Sequence, residues 1–174
     1  KEVIGDMALH RYGQAGAPII LIPSLINRAY ILDFLPDHSF ARYLAAQGCV
    51  VYLLDWQDYP SRADGLDAVI VQLRHMLQMV AKRHSHAVSA FGYCMGGSLL
   101  LGALADPAIS LHRAIFCASP YDFSAMPPLP ALLANNLGRL PQPPISLDWL
   151  QYYFYSLDPL AGYRKFSHFA ALQE

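Results

Sequence analysis

The chain is poor in charge: Asp, Glu, Lys and Arg make up only 14% of its 174 residues, and the formal net charge is −1. Beside a 55% share of hydrophobic residues, this excludes a solvated, disordered polypeptide, which lacks the apolar surface needed to order itself. Arg28, Arg42, Arg62, Arg74, Arg113 and Arg139 are dispersed, so no cationic stripe offers itself to nucleic acid or to an anionic membrane surface. Cysteine is scarce. Cys49, Cys94 and Cys117 form an odd set without framework spacing, which reads as reduced thiols in a cytoplasm. There is no Cys-x-x-Cys or His-Glu-x-x-His spacing, so neither common zinc signature is met and no resident metal or cofactor is expected. No apolar run approaches the roughly 20 residues that span a bilayer, and positions 1–6 lack the apolar core of a signal peptide.

What is present is a rhythm. Residues 7–12 suit a first strand, and Pro18-Ile19-Ile20-Leu21-Ile22-Pro23 is a near-continuous apolar run of the kind buried on both faces of a parallel sheet. A loop follows at 24–27. Ser39 suits the N-cap of a helix running to Ala46 with Gly48 as its stop, and Cys49 to Leu54 is a second buried strand closed by Asp55-Trp56. Leu66, Val69, Ile70, Leu73, Met76, Leu77 and Val80 recur at spacings of three and four, predicting one helix with one apolar stripe. Strands are predicted at 87–91 and 113–118, with a helix between them ending near Asp106-Pro107. Repeated strand–helix alternation predicts a mostly parallel sheet covered by helices on both faces.

The alternation stops near residue 123. Six of the thirteen prolines fall between Pro127 and Pro144, followed by Trp149, Tyr152, Tyr153, Phe154 and Tyr155. Residues 1–122 therefore read as the core and 123–174 as a cap, either a lid over an acyl chain or an irregular helical subdomain whose aromatics are its own core.

The chemistry concentrates in Gly92-Tyr93-Cys94-Met95-Gly96-Gly97. Strand, sharp turn and helix with a nucleophile at the apex is the layout of the α/β-hydrolase elbow, here with cysteine instead of serine. Such a turn strains the nucleophile's backbone, and side chains two positions away on either side would collide with the neighbouring strand and helix. Gly92 and Gly96 occupy those positions. The helix behind aims the positive end of its dipole at Cys94, favouring negative charge there. The alternative is a buried structural cysteine in an ordinary turn, which is the expectation for Cys49 and Cys117. An oxyanion hole would use the backbone N–H of Met95 and one from the loop after an earlier strand, Leu25 or Ile26.

Ile22-Pro23-Ser24-Leu25-Ile26-Asn27-Arg28-Ala29-Tyr30-Ile31-Leu32-Asp33 resembles the loop after the first core strand of polyhydroxyalkanoate synthases. So do Ser39-Phe40, Gly48 and Val51-Tyr52-Leu53-Leu54-Asp55-Trp56, and Gly92-Tyr93-Cys94-Met95-Gly96-Gly97 matches that family's cysteine box. Ser119-Pro120-Tyr121-Asp122-Phe123 falls where its next strand ends. The similarity spans about residues 15–125, and Ser24 sits where many members carry a second proline. The resemblance implies acyl transfer from a (R)-3-hydroxyacyl coenzyme A, with Cys94 accepting the acyl group as a thioester and a growing chain's hydroxyl taking it. It also implies acyl-coenzyme A and a hydroxyacyl polymer as partners, a homodimer through the cap or a second subunit, and a cytoplasmic, granule-associated location. A hydrolase using water as acceptor, and a non-enzymatic binding or dimerisation relative, are the competing readings.

In this fold the acid and histidine follow the nucleophile on loops after later strands. Asp122 and Asp158 are the acids best placed by position, and His168 is the base candidate. His84, His86 and His112 fall at strand starts, His75 on the long helix, and His10 and His38 ahead of the nucleophile as surface residues. No convincing strand appears in 124–174. The expectation is an incomplete sheet, a base lying beyond Glu174, and a polypeptide nearly inactive on its own.

Overall fold

The computed structural model describes residues 2–4, 7–26, 28–57, 65–85, 87–122 and 159–171. The chain divides into two compact units, Lys1–Met126 and Pro127–Glu174. The first contains β1 (Glu2–Ile4), β2 (Met7–Tyr12), β3 (Ala17–Ile22), a 3-10 turn (Ala29–Leu32), α1 (Phe40–Ala46), β4 (Cys49–Asp55), α2 (Gly65–Lys82), β5 (Ser89–Tyr93), α3 (Met95–Leu104) and β6 (Ala114–Cys117). Of the second unit only helix α4 (Pro159–Ala171) is described; the proline cluster and the aromatics at 149–155 lie outside the described residues.

The six strands form one sheet in the order β1-β2-β4-β3-β5-β6. β1 and β2 run antiparallel, as do β2 and β4, whereas β4, β3, β5 and β6 are parallel neighbours. The mostly parallel sheet flanked by helices is therefore as the alternation predicts. Side chains alternate between its faces. Ile20, Ile22, Tyr52 and Leu54 pack with α2 and α3 on one side, while Leu21, Val51 and Leu53 pack with α1 and the 3-10 turn on the other. Continuous apolar strands are the direct consequence of this double coverage.

Several elements depart from the sequence expectations. β5 starts at Ser89, because pairing with β3 begins at Ile19 opposite Ser89, and it runs through Tyr93 to the residue before Cys94. The N-terminal pair of strands is antiparallel and includes a short β1 with no strong pattern of its own. The 3-10 turn carries no helical stripe but buries Ala29 and Leu32. Leu66, counted in the apolar stripe of α2, is 51% exposed; it lies in the first turn, and the buried stripe starts at Val69. Among the described residues, no helix is long and apolar enough to cross a membrane.

Asp33 ties three elements together. Its carboxylate accepts hydrogen bonds from the Tyr12 hydroxyl on β2 (2.5 Å), the Ser39 hydroxyl (2.6 Å) and the Arg42 Nε on α1 (3.1 Å). Ser39 in turn caps α1 by accepting from the Arg42 backbone N–H at 3.0 Å. Burial alone would raise the Asp33 pKa, but the bonds from Ser39, Tyr12 and Arg42 outweigh it and hold the carboxyl below its ordinary value. Burial, and then the hydrogen bond and charge of Asp33, push the Tyr12 phenol well up.

A depressed carboxyl stabilises the fold above its unfolded pKa of about 4, and that contribution disappears as pH falls through the folded value. Asp33→Asn is therefore expected to lower stability at pH 7 by about 1–3 kcal/mol, read by urea denaturation. The gap from wild type should close as the pH is taken below about 4.

Candidate active site

β5 delivers Cys94 to the carboxyl edge of the parallel strands, and α3 starts at the next residue. Cys94 has φ 52° and ψ −130°, a left-handed conformation that a side-chain-bearing residue adopts only under constraint. Two backbone bonds hold it there: its N–H donates to the Cys117 carbonyl at 2.8 Å, and its carbonyl accepts from the Gly97 N–H at 2.9 Å. The Met95 N–H belongs to the first turn of α3, where backbone donors have no partner within the helix.

The glycines around Cys94 are required by close approach. A β-carbon on Gly92 would lie 2.8 Å from the Gly97 backbone nitrogen, inside the turn. One on Gly96 would lie 2.6 Å from the Pro23 carbonyl oxygen at the end of β3. Helix α3 thus enters directly against the loop that holds the two candidate donors, Leu25 and Ile26. The same Pro23 carbonyl accepts a 2.9 Å hydrogen bond from Nε1 of the buried Trp56, which fixes that loop to the end of β4.

Within the loop the structure separates the two candidate donors. The buried Ser24 hydroxyl accepts from the Ile26 N–H at 3.2 Å, so Ile26 is already engaged. The Leu25 N–H meets no acceptor among the described residues. The Ser24 side chain therefore sets the loop's internal turn. Asn27 lies outside the described residues.

The other site residues are more scattered. Asp122 lies exposed, five residues beyond β6. Asp158 is outside the described residues, and His168 is an exposed residue of α4 in the second unit. His75 and His112 are exposed, His84 shares a 2.9 Å hydrogen bond with the Tyr52 hydroxyl, and His86 is outside the described residues. None of the described histidines of the first unit hydrogen-bonds the Cys94 thiol. The thiols also differ from expectation. Cys117 is exposed and Cys49 is half-buried like Cys94, so neither is a buried structural cysteine. Cys117 loses cover because β6 has one strand partner among the described residues, with Ile115 43% and Phe116 45% exposed.

His10 is half-buried and paired. Its Nε2 is 3.2 Å from Asp55 Oδ2 across the β2–β4 pair, and both side chains are largely covered. The pair cannot serve Cys94. His10, Leu53, Leu21 and Phe91 form one row across β2, β4, β3 and β5. Three strand steps and three further residues along β5 put Cys94 about 17 Å away, backbone to backbone.

A sheet of this order, with a residue held at positive φ between β5 and its helix, defines an α/β-hydrolase fold. Among solved structures, the chain superposes on an α/β-hydrolase from Sphaerobacter thermophilus with a TM-score of 0.54 and 22% identity, covering 86% of this chain and 55% of that one. A monoacylglycerol lipase from Paleococcus ferrophilus gives a TM-score of 0.52 at 14% identity, over 77% and 51% of the two chains. No family model matches.

Sequence relatives narrow the class. The chain is 40% identical over 91 residues to the poly(3-hydroxyalkanoate) polymerase subunit PhaC of Haloferax mediterranei, covering 49% of this chain and 18% of that protein. The same-named subunits of Synechocystis sp. and Allochromatium vinosum are 25% and 26% identical over 170 and 176 residues, which is 86% and 89% of this chain but 43% and 48% of theirs. The chain is therefore an α/β-hydrolase-fold relative of the poly(3-hydroxyalkanoate) polymerases, matching less than half the length of each of these three.

Gly96→Ala should force α3 off the end of β3 and lower stability by about 2–3 kcal/mol, the upper range for overpacking a tight contact. Ser98→Ala, on the same first turn, should cost under about 1.5 kcal/mol for its hydrogen bond to the Pro120 carbonyl. Thermal or urea unfolding of the two variants checks the ordering.

Proposed function

We propose that this chain carries the nucleophile and oxyanion hole of an acyltransferase of the polyhydroxyalkanoate synthase type, with Cys94 as the catalytic residue. The strained elbow at Cys94 carries this reading, because that conformation is costly for any residue with a side chain and presents a thiol beside open backbone donors. The poly(3-hydroxyalkanoate) polymerases it resembles suggest the substrate class, a 3-hydroxyacyl group.

In the first step the Cys94 thiolate attacks the carbonyl carbon of a (R)-3-hydroxyacyl coenzyme A. The carbonyl oxygen becomes an oxyanion between the Met95 and Leu25 N–H groups. The bond from carbon to the coenzyme A sulfur then breaks, and that sulfur leaves and takes up a proton. In the second step a hydroxyl oxygen from the growing chain attacks the Cys94 thioester. The carbon–sulfur bond to Cys94 breaks, an ester forms, and the hydroxyl proton passes to a base. Exchange of one thioester for another is close to balanced in energy, and the enzyme thioester stays reactive toward an alcohol.

His168, with Asp122 or Asp158, is the base-and-acid set this sequence itself offers. With no described histidine of the first unit at the thiol, acyl transfer by this chain is expected to be slow. A positioned base is worth about 10²–10⁴-fold. The cytoplasmic location and a homodimer or second subunit belong to this same reading.

The test is to supply (R)-3-hydroxybutyryl coenzyme A and analyse the products. Slow formation of oligomeric ester, with coenzyme A release falling to background in Cys94→Ala, is the expected result. Free hydroxy acid as the sole product would favour the hydrolase reading. Release that is indifferent to Cys94→Ala would overturn both.

A further inference from the structure

A cleft of about 490 Å³ opens on the 3-10 turn side of β2 and β4, lined by His10, Arg28, Asp55 and the apolar side chains of Leu25, Ala29 and Leu53, among others. Its volume falls within the range of small-molecule sites. Its charges are unevenly committed. Asp33, on the wall, has its carboxylate taken by Tyr12, Ser39 and Arg42. Asp55 is taken by His10 through Oδ2 and by the Gln57 backbone N–H through Oδ1, at 3.2 Å each. Arg28 is exposed, and its guanidinium makes no hydrogen bond or ion pair with a described residue. Both acids are thus engaged internally, and an uncommitted arginine is left among the residues lining the cleft.

The His10–Asp55 pair adds a directional group. A carboxylate only accepts hydrogen bonds, so the Nε2 facing it carries the proton, and in the neutral ring Nδ1 is left as an acceptor. One cation for a carboxylate, one acceptor for a hydroxyl, and an apolar wall form a particular recognition set. Butyrate satisfies the first and third, and inorganic phosphate only the first.

We propose that this cleft is a second site, separate from Cys94, that binds a short hydroxycarboxylate. Arg28 pairs with the carboxylate, His10 accepts from the hydroxyl, and the alkyl part lies on Leu25, Ala29 and Leu53. Leu25 belongs to the loop proposed to stabilise the oxyanion, so occupancy of the cleft contacts the acyl-transfer machinery through that residue. The binding itself does not depend on acyl transfer, and it is measured without an acyl donor.

The experiment is calorimetric or NMR titration of the 174-residue chain with (R)-3-hydroxybutyrate, butyrate and inorganic phosphate, repeated in Cys94→Ala. Hydroxybutyrate should bind saturably, at least about threefold more tightly than either other ligand and equally well in Cys94→Ala. Arg28→Ala should weaken both carboxylates about tenfold, as loss of a charge-assisted contact does. His10→Phe should abolish only the preference for the hydroxyl, and Arg113→Ala, remote from the cleft, should change nothing. Absence of saturable binding, equal affinity for butyrate, or indifference to the exposed Arg28→Ala would overturn the site. None of these outcomes bears on acylation of Cys94, so failure here and failure of the acyltransferase reading are distinguishable.

Discussion

The structure turns on the close approach of helix α3 to the end of strand β3. At that point the backbone of Gly96 lies against the carbonyls of Ile22 and Pro23 with no room for a methyl group. This contact places the first turn of the helix, with its open N–H donors, beside the loop that follows β3. Between β5 and α3, Cys94 is held at positive φ by backbone hydrogen bonds to Cys117 and Gly97. The strain at Cys94 and the nearness of the loop after β3 thus meet at this one contact.

The rest of the fold supports that contact from outside. Trp56 anchors Pro23 from the end of β4, and Ser24 organises the loop from within. Farther along, Asp33 binds the 3-10 turn to β2 and α1. Asp33 closes the Asn-Arg-x-Tyr-Ile-Leu-Asp string by which the sequence resembles polyhydroxyalkanoate synthases, and its observed partners give it a positioning role. It keeps the segment after the oxyanion loop packed on the sheet.

Local patterns made much of this legible in the sequence. Double-sided burial writes itself as uninterrupted apolar strands at β3 and β4, and Ser39 and Gly48 mark the ends of α1 through their own capping and turn chemistry. The glycines two residues either side of Cys94 were readable because only a tight turn requires both. Features built from distant residues were not readable. The His10–Asp55 pair joins positions 45 apart in the chain, and only the antiparallel register of β2 on β4 brings them together. The choice between Leu25 and Ile26 rests on a side-chain hydrogen bond from Ser24 that no periodicity announces. The exposure of Cys117 depends on what pairs with β6, which its four apolar-looking residues do not state.

The central proposal is that Cys94, and neither of the other two thiols, is the nucleophile, whereas accessibility alone would favour the exposed Cys117. Intact-protein and peptide mass spectrometry after prolonged exposure to (R)-3-hydroxybutyryl coenzyme A near neutral pH tests this directly. One hydroxybutyryl group per chain, localised to Cys94 with Cys49 and Cys117 unmodified, is the predicted result. Acylation following exposure, with Cys117 labelled first and Cys94 spared, would contradict it.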